Sequence, residues 1–245
     1  MSIEVASAWL LSIMLSIVPC KKNYYVPTYA QESIQQCESR YNGISKSIAE
    51  VVYHPDSTPL WTGNHGRART ALTVLSIMYF ESGFRRDIDI GIERERLSRY
   101  GWNDYGRSWC MMQINLGNKS RMIDGNAVVN SANNTPHGWT GKDLIADRRK
   151  CVAAGLHIIR RSFKACPGAS FNNRLRVYAS GSCDKGGDAS ASRMKKMVKL
   201  YREHPPTFGD SNINYIQSGF SCSEGNCVTG NIESSWFGPF NKKKE

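Results

Sequence analysis

Metal-ligand spacing and long hydrophobic runs are what this chain lacks. No two cysteines stand as C-x-x-C and no Cys/His cluster has zinc spacing, so neither a metal nor any other cofactor is expected. No segment repeats with a period of about 20 to 50 residues, which removes solenoids and propellers. No stretch is monotonous enough to be low complexity. The apolar run "SAWLLSIMLSIVPC" has the length of a signal peptide's core and is too short to span a bilayer. It also lacks a signal's flanks: Glu4 rather than a Lys or Arg precedes it, and Pro19 stands before Cys20 where a lipoprotein signal wants a small residue. Ser12 and Ser16 share one helical face, and Leu10, Ile13, Met14 and Ile17 cover much of the rest. A packed first helix that stays in the protein is the expectation.

What is present bounds the class. With 245 residues, 40% of them apolar, the chain can bury a real core. Thirty-two Lys and Arg against 21 Asp and Glu give +11, which suits an anionic partner such as nucleic acid, lipopolysaccharide or a carboxylate-bearing wall polymer. The cations are spread along the chain, apart from "KKNYY" and "NKKKE", so no specific nucleic-acid site is expected. The even set of eight cysteines fits disulfides formed in an oxidising compartment, with "CSEGNC" (Cys222 to Cys227) as a local loop staple.

Periodicity reads mainly as helix. "QESIQQCESRYNGISKSIAEVVY" carries a stripe through Ile34, Cys37, Tyr41, Ile44, Ile48, Val51 and Val52. After a loop rich in Pro and Gly, "RARTALTVLSIMYFES" is apolar almost all round, the pattern of a central buried helix, with Gly83 placed to terminate it. Residues 84–107 read as charged loop, and "SWCMMQINLG" as extended. One long helix is predicted from Thr140 through Cys166, opened by a capping box of Thr140 and Asp143. "DASASRMKKMVKLYREH" is a last amphipathic helix stopped by Pro205 and Pro206. The predicted organisation is N-terminal helices at 1–66, a principal domain at 67–205, and a loop-rich extension with little core of its own at 206–245.

Glu81 is the residue that asks for a chemical explanation. It closes the greasy segment "ALTVLSIMYF", at the negative end of a helix dipole and beside Tyr79 and Phe80. Both surroundings favour the protonated carboxyl that glycosidic cleavage needs. The bland reading is a glutamate turned out to solvent at a helix end. The order of the pieces "SIMYFESGF", "SWCMMQI", a helix, then "YASG" resembles the soluble lytic transglycosylase and goose-type lysozyme family, from about Ala68 to Tyr201. The longer set with "GWTGKDLIADRRKC" and "YASGSCDKG" also looks like lysozyme-like proteins carried by phages.

That resemblance implies a lysozyme-like helical domain with a catalytic cleft. Glu81 takes the place of the catalytic acid/base; Ser108, Met112, Gln113, Tyr178 and Ser180 fall on the family's cleft motifs as substrate-binding residues. Two positions depart from the pattern: Cys110 replaces a glycine and Ala179 an asparagine. The implied activity is cleavage of the MurNAc–GlcNAc β-1,4 bond of peptidoglycan with a 1,6-anhydro product. The implied setting is a virion acting at the host periplasm or cell wall, with glycan strands and other virion (tail) proteins as partners and no membrane span. The alternatives are a hydrolytic lysozyme, a non-catalytic virion protein of the same fold, and a bacterial envelope or secreted enzyme. Hydrolysis calls for a second carboxylate, for which Asp87, Asp89 and Asp104 are the candidates. Trp102 and Trp109 read equally as sugar platforms or core, and His137 and His157 stand outside any catalytic motif. Cys151 and Cys166 lie about 22 Å apart on one predicted helix and so should not pair with each other; Cys110 and Cys183, across the cleft-forming segments, are the expected partners.

Overall fold

The computed structural model describes residues 3–21, 31–91, 108–116, 122–123, 126–127, 139–210, 220–223 and 226–229. The described part is mainly α-helical, with short two-stranded antiparallel hairpins. Helix α1 (Ile3–Ile17) buries Ile3, Ala6, Leu10, Ile13 and Met14, and leaves Ser12 and Ser16 exposed. It lies on α2 (Ile34–Val52), which a capping box starts: Ser33 Oγ accepts from the Gln36 amide, and Gln36 Oε1 accepts from the Ser33 amide. The predicted stripe of α2 is buried except at Ile34, which is exposed. A disulfide between Cys20 and Cys37 ties the two helices together. No described helix is long and apolar enough to cross a membrane.

The central helix is α3 (Gly66–Ser82), buried on nearly every side, as its all-apolar pattern requires. It packs against α8 (Gly187–Glu203) and α2. Within the segment 84–107 read as loop, the chain makes a short helix α4 (Arg86–Asp89) directly after α3, and residues 92–107 lie outside the described residues. Hairpin β1 (Ser108–Trp109) and β2 (Ile114–Asn115) matches the extended reading of "SWCMMQIN". Strands β3 (Met122–Ile123) and β4 (Asn126–Ala127) pair next.

The predicted long helix is two helices, α5 (Gly141–Ala146) and α6 (Arg148–Ala165). The Thr140–Asp143 capping box is present, but Asp147 turns extended and its carboxylate accepts from the Arg149 amide, so a second N-cap interrupts the run. Short α7 (Arg176–Ser180) and then α8 follow. Cys151 and Cys166 do not pair with each other, as their spacing required; Cys110 pairs with Cys151 and Cys183 with Cys166. Beyond α8 the first residues of the extension pack on the rest of the chain. Phe208 is buried against Trp9 and Tyr53, and Asp210 accepts from the Arg67 amide at 2.8 Å. Strands β5 (Phe220–Ser223) and β6 (Asn226–Thr229) form a hairpin whose register sets Cys222 opposite Cys227.

Candidate active site

The end of α3 aims Glu81. Gly83 takes a left-handed conformation (φ 57°) and its amide donates to the Tyr79 carbonyl, closing the helix one residue past Ser82. Ser82 turns inward, donating to the Met78 carbonyl at 2.8 Å and accepting from the Phe84 amide, so its hydroxyl is spent on the helix end. Glu81 points the other way, its side chain 20% exposed. Its neighbourhood is not the aromatic box that the sequence suggested. Phe80 is 42% exposed, and a guanidinium stands beside the carboxylate: Arg193 Nη2 on α8 donates to Glu81 Oε1 at 2.6 Å. Arg193 also donates through Nη1 to the Ala189 carbonyl and lies over the Phe80 ring, 5.4 Å from its centroid. This is a bonded pair at a cleft, not a glutamate waving in solvent.

The second wall is the β1–β2 hairpin. Its tight turn puts Cys110 (φ 54°) and Gln113 (φ 48°) in the left-handed region, and the Gln113 amide donates to the Cys110 carbonyl at 2.9 Å. The glycine expected at position 110 from the family resemblance would suit that conformation; here cysteine adopts it and is held by its bridge to Cys151 on α6. Two close approaches add to the hold. A Cβ on Gly141 would sit 1.8 Å from the Trp109 ring, and one on Gly155 would sit 2.1 Å from Met112 Sδ. The hairpin is therefore seated on α5 and α6 at three points. Trp109 is core, not a sugar platform.

The third wall is α7 and the turn after it. Tyr178 Oη donates to the Met112 carbonyl at 2.5 Å, and its amide donates to Ser162 Oγ on α6. Burial pushes the Tyr178 phenol well above its ordinary range and the Glu81 charge adds to this, while Arg193 opposes it. The phenol is a fixed donor. Ser180 Oγ is taken up within its own turn, its single proton shared between the Arg176 and Ser182 carbonyls, and it accepts from the Ser182 amide.

These walls enclose a cleft of about 610 Å³ lined by Glu81, Ser108, Gln113, Ile114, Asn115, Ile158, Val177, Tyr178, Ala179, Ser180, Gly181 and Arg193. Glu81, Ser108, Gln113, Tyr178 and Ser180 meet there, 99 residues of sequence separating the first from the last. Met112 does not join them: its side chain is fully buried on Gly155, and only its carbonyl reaches the site, through Tyr178. Among the described residues Glu81 is the one carboxylate in the lining. Asp87 and Asp89 are buried in α4 and taken up structurally, Asp87 by Arg85 and Asp89 by both nitrogens of an Arg148 fork. Trp102, Asp104 and His137 lie outside the described residues. No group of His, Cys, Asp and Glu that could hold a metal ion occurs among the described residues.

Arg193 is the site residue that sequence reasoning missed. In "SRMKKMVK" it is one of several cations on an amphipathic helix, and its partner Glu81 lies 112 residues earlier. The available signal was its place between the buried Ser190 and Met197, where a solvated cation would not fit well. No family model, no curated protein and no solved structure matches the chain.

Proposed function

We propose that the protein is a peptidoglycan lytic transglycosylase with a lysozyme-like cleft. The observation that carries this reading is the convergence of Glu81 with Ser108, Gln113, Tyr178 and Ser180 around one cleft. A transglycosylase needs a single carboxyl group. Glu81, protonated, gives its proton to the glycosidic oxygen as the C1–O bond of the MurNAc residue breaks, and GlcNAc leaves as an alcohol. The resulting carboxylate then takes the proton of the MurNAc C6 hydroxyl, whose oxygen closes on C1 as a 1,6-anhydro ring. No water is consumed and Glu81 ends protonated, as it began. Tyr178 and the Met112 carbonyl hold the far walls together, and Ser108, Gln113 and Asn115 offer neutral polar contacts to a sugar.

Hydrolysis is the weaker alternative because the described lining supplies no second carboxylate. The disulfides fit action outside a reducing compartment, as for a virion protein reaching the host wall or an envelope enzyme. A non-catalytic virion protein with the same fold is favoured by one observation: Ala179 lines the cleft without the amide that the resembled family carries there. Glu81→Gln separates these readings. It keeps size and removes the transferable proton, so release of muropeptides from purified sacculi should fall by about 10²-fold or more in a protein that still folds, its stability lowered only by loss of the ion pair to Arg193. Undiminished release would remove Glu81 from the chemistry, and no release by the wild type would favour the non-catalytic reading.

A further inference from the structure

We infer that Arg193 is an anion subsite of the cleft, which exchanges Glu81 for a carboxylate carried by the glycan substrate. This inference rests on the transglycosylase reading and deepens it. The described lining holds one cation, Arg193, and one carboxylate, Glu81, joined at 2.6 Å. Acid catalysis requires Glu81 to carry a proton and to face the glycosidic oxygen. In that state the guanidinium loses its counter-ion while its side chain is only 12% exposed. An unpaired charge so placed is costly, and the other described lining residues offer no anion to replace Glu81. A carboxylate that enters with the substrate does.

Arg193 also keeps a donor to spare. Arg193 spends Nη1 on the Ala189 carbonyl and Nη2 on Glu81, while its Nε is buried with no hydrogen-bond partner among the described residues. The Nε and Nη2 edge is the planar fork that grips a carboxylate with two parallel bonds, and Glu81 uses half of it. A second cation stands near: Lys196, three residues on along α8, lies over the Tyr79 ring, 4.5 Å from its centroid. Lys196 thus sets a second cation of α8 beside the last turn of α3. Peptidoglycan brings carboxylates on the lactyl ether of its muramic acid or on the stem peptide attached there, whereas a GlcNAc polymer brings none. Arg193 is therefore a specificity residue for acidic over neutral glycans, and it makes substrate binding and the release of Glu81 one event.

Binding to the full-length Glu81→Gln protein tests this without turnover. The probes for calorimetry are a MurNAc–GlcNAc tetrasaccharide with free lactyl carboxylates, the same sugar bearing stem peptides, and a GlcNAc tetramer. At least one acidic probe is expected to bind about tenfold or more tighter than the neutral tetramer, and which one does so identifies the source of the carboxylate. Adding Arg193→Gln should erase the preference and Arg193→Lys should restore part of it; should the glutamine variant fail to fold, the lysine variant and the salt dependence of the preference carry the test. Equal affinity for acidic and neutral sugars, or a preference that survives Arg193→Gln, overturns the inference. Cleavage of sacculi without any such preference would sink the subsite and spare the enzyme. An Arg193-dependent preference in a protein that never cleaves sacculi would do the reverse.

Discussion

The phenol of Tyr178 reaches the main-chain carbonyl of Met112 at 2.5 Å, joining α7 to the hairpin across 66 residues of sequence. The bond sets the distance between two walls of the cleft. Tyr178→Phe keeps the ring and leaves that carbonyl without its donor, at a cost of about 1 to 3 kcal/mol. Urea unfolding measures the loss, and turnover on sacculi should fall further than stability alone explains. Unchanged turnover in a folded Tyr178→Phe protein would show that the spacing of the walls does not matter.

The seat of the hairpin on α6 has no slack at Gly155. A methyl group there would overlap Met112 Sδ, which is fully buried, so Gly155→Ala should destabilise by about 1 to 3 kcal/mol. Combining it with Met112→Ala should cost less than the sum of the two single changes, because each relieves the other's fault. A strictly additive double-mutant cycle would place Met112 elsewhere.

The Cys110–Cys151 bridge closes a long loop and pins a cysteine in a left-handed conformation. Replacing both cysteines by alanine removes the crosslink, with an expected loss of about 4 kcal/mol from loop entropy. Cys110→Gly with Cys151→Ala should lose less, since glycine adopts that backbone freely. Chemical denaturation of the two double variants ranks them directly; an alanine pair as stable as the glycine pair would contradict the backbone assignment.

Alkaline pH should destabilise the protein through its buried phenols. Burial raises both Tyr178 and Tyr53 above the ordinary 10.0, with the charges of Glu81 and Asp210 respectively adding to it. A raised folded-state value means that the unfolded chain releases these protons first. Stability is therefore complete below pH 10.0 and falls as pH rises above it. Tyr53→Phe isolates one contribution: the Tyr53 hydroxyl has no hydrogen-bond partner among the described residues, so the change should cost little at pH 7 and flatten the alkaline loss. An unfolding free energy that stays level between pH 9 and pH 12 would rule this out.

The helices were legible where apolar spacing alone sets them. The stripe of α2 and the all-round burial of α3 follow from the positions of Tyr41, Ile44 and Ile48 and of the run from Ala71 to Met78. Glu81 was legible for the same reason, since Gly83 marks where the helix must stop. The break at Asp147 was not, because a single aspartate inside a helical pattern looks like surface until its carboxylate is seen on the Arg149 amide. Nor was the fate of Asp87 and Asp89, which depends on arginines that only the fold brings to them. Met112 and Gln113 are adjacent, yet the left-handed turn buries one and gives the other to the cleft. The partner of Arg193 required tertiary structure: periodicity places the residue on α8 but cannot say which carboxylate it meets.

Mass analysis of what the wild-type protein releases from purified sacculi tests the single-carboxylate chemistry of Glu81 most directly. Closure of the C6 hydroxyl on C1 should yield muropeptides ending in 1,6-anhydro sugar, one water lighter than a reducing end, with their release by Glu81→Gln lower by about 10²-fold or more. Muropeptides with ordinary reducing ends would contradict it, since water would then have entered the bond and a second group must activate it.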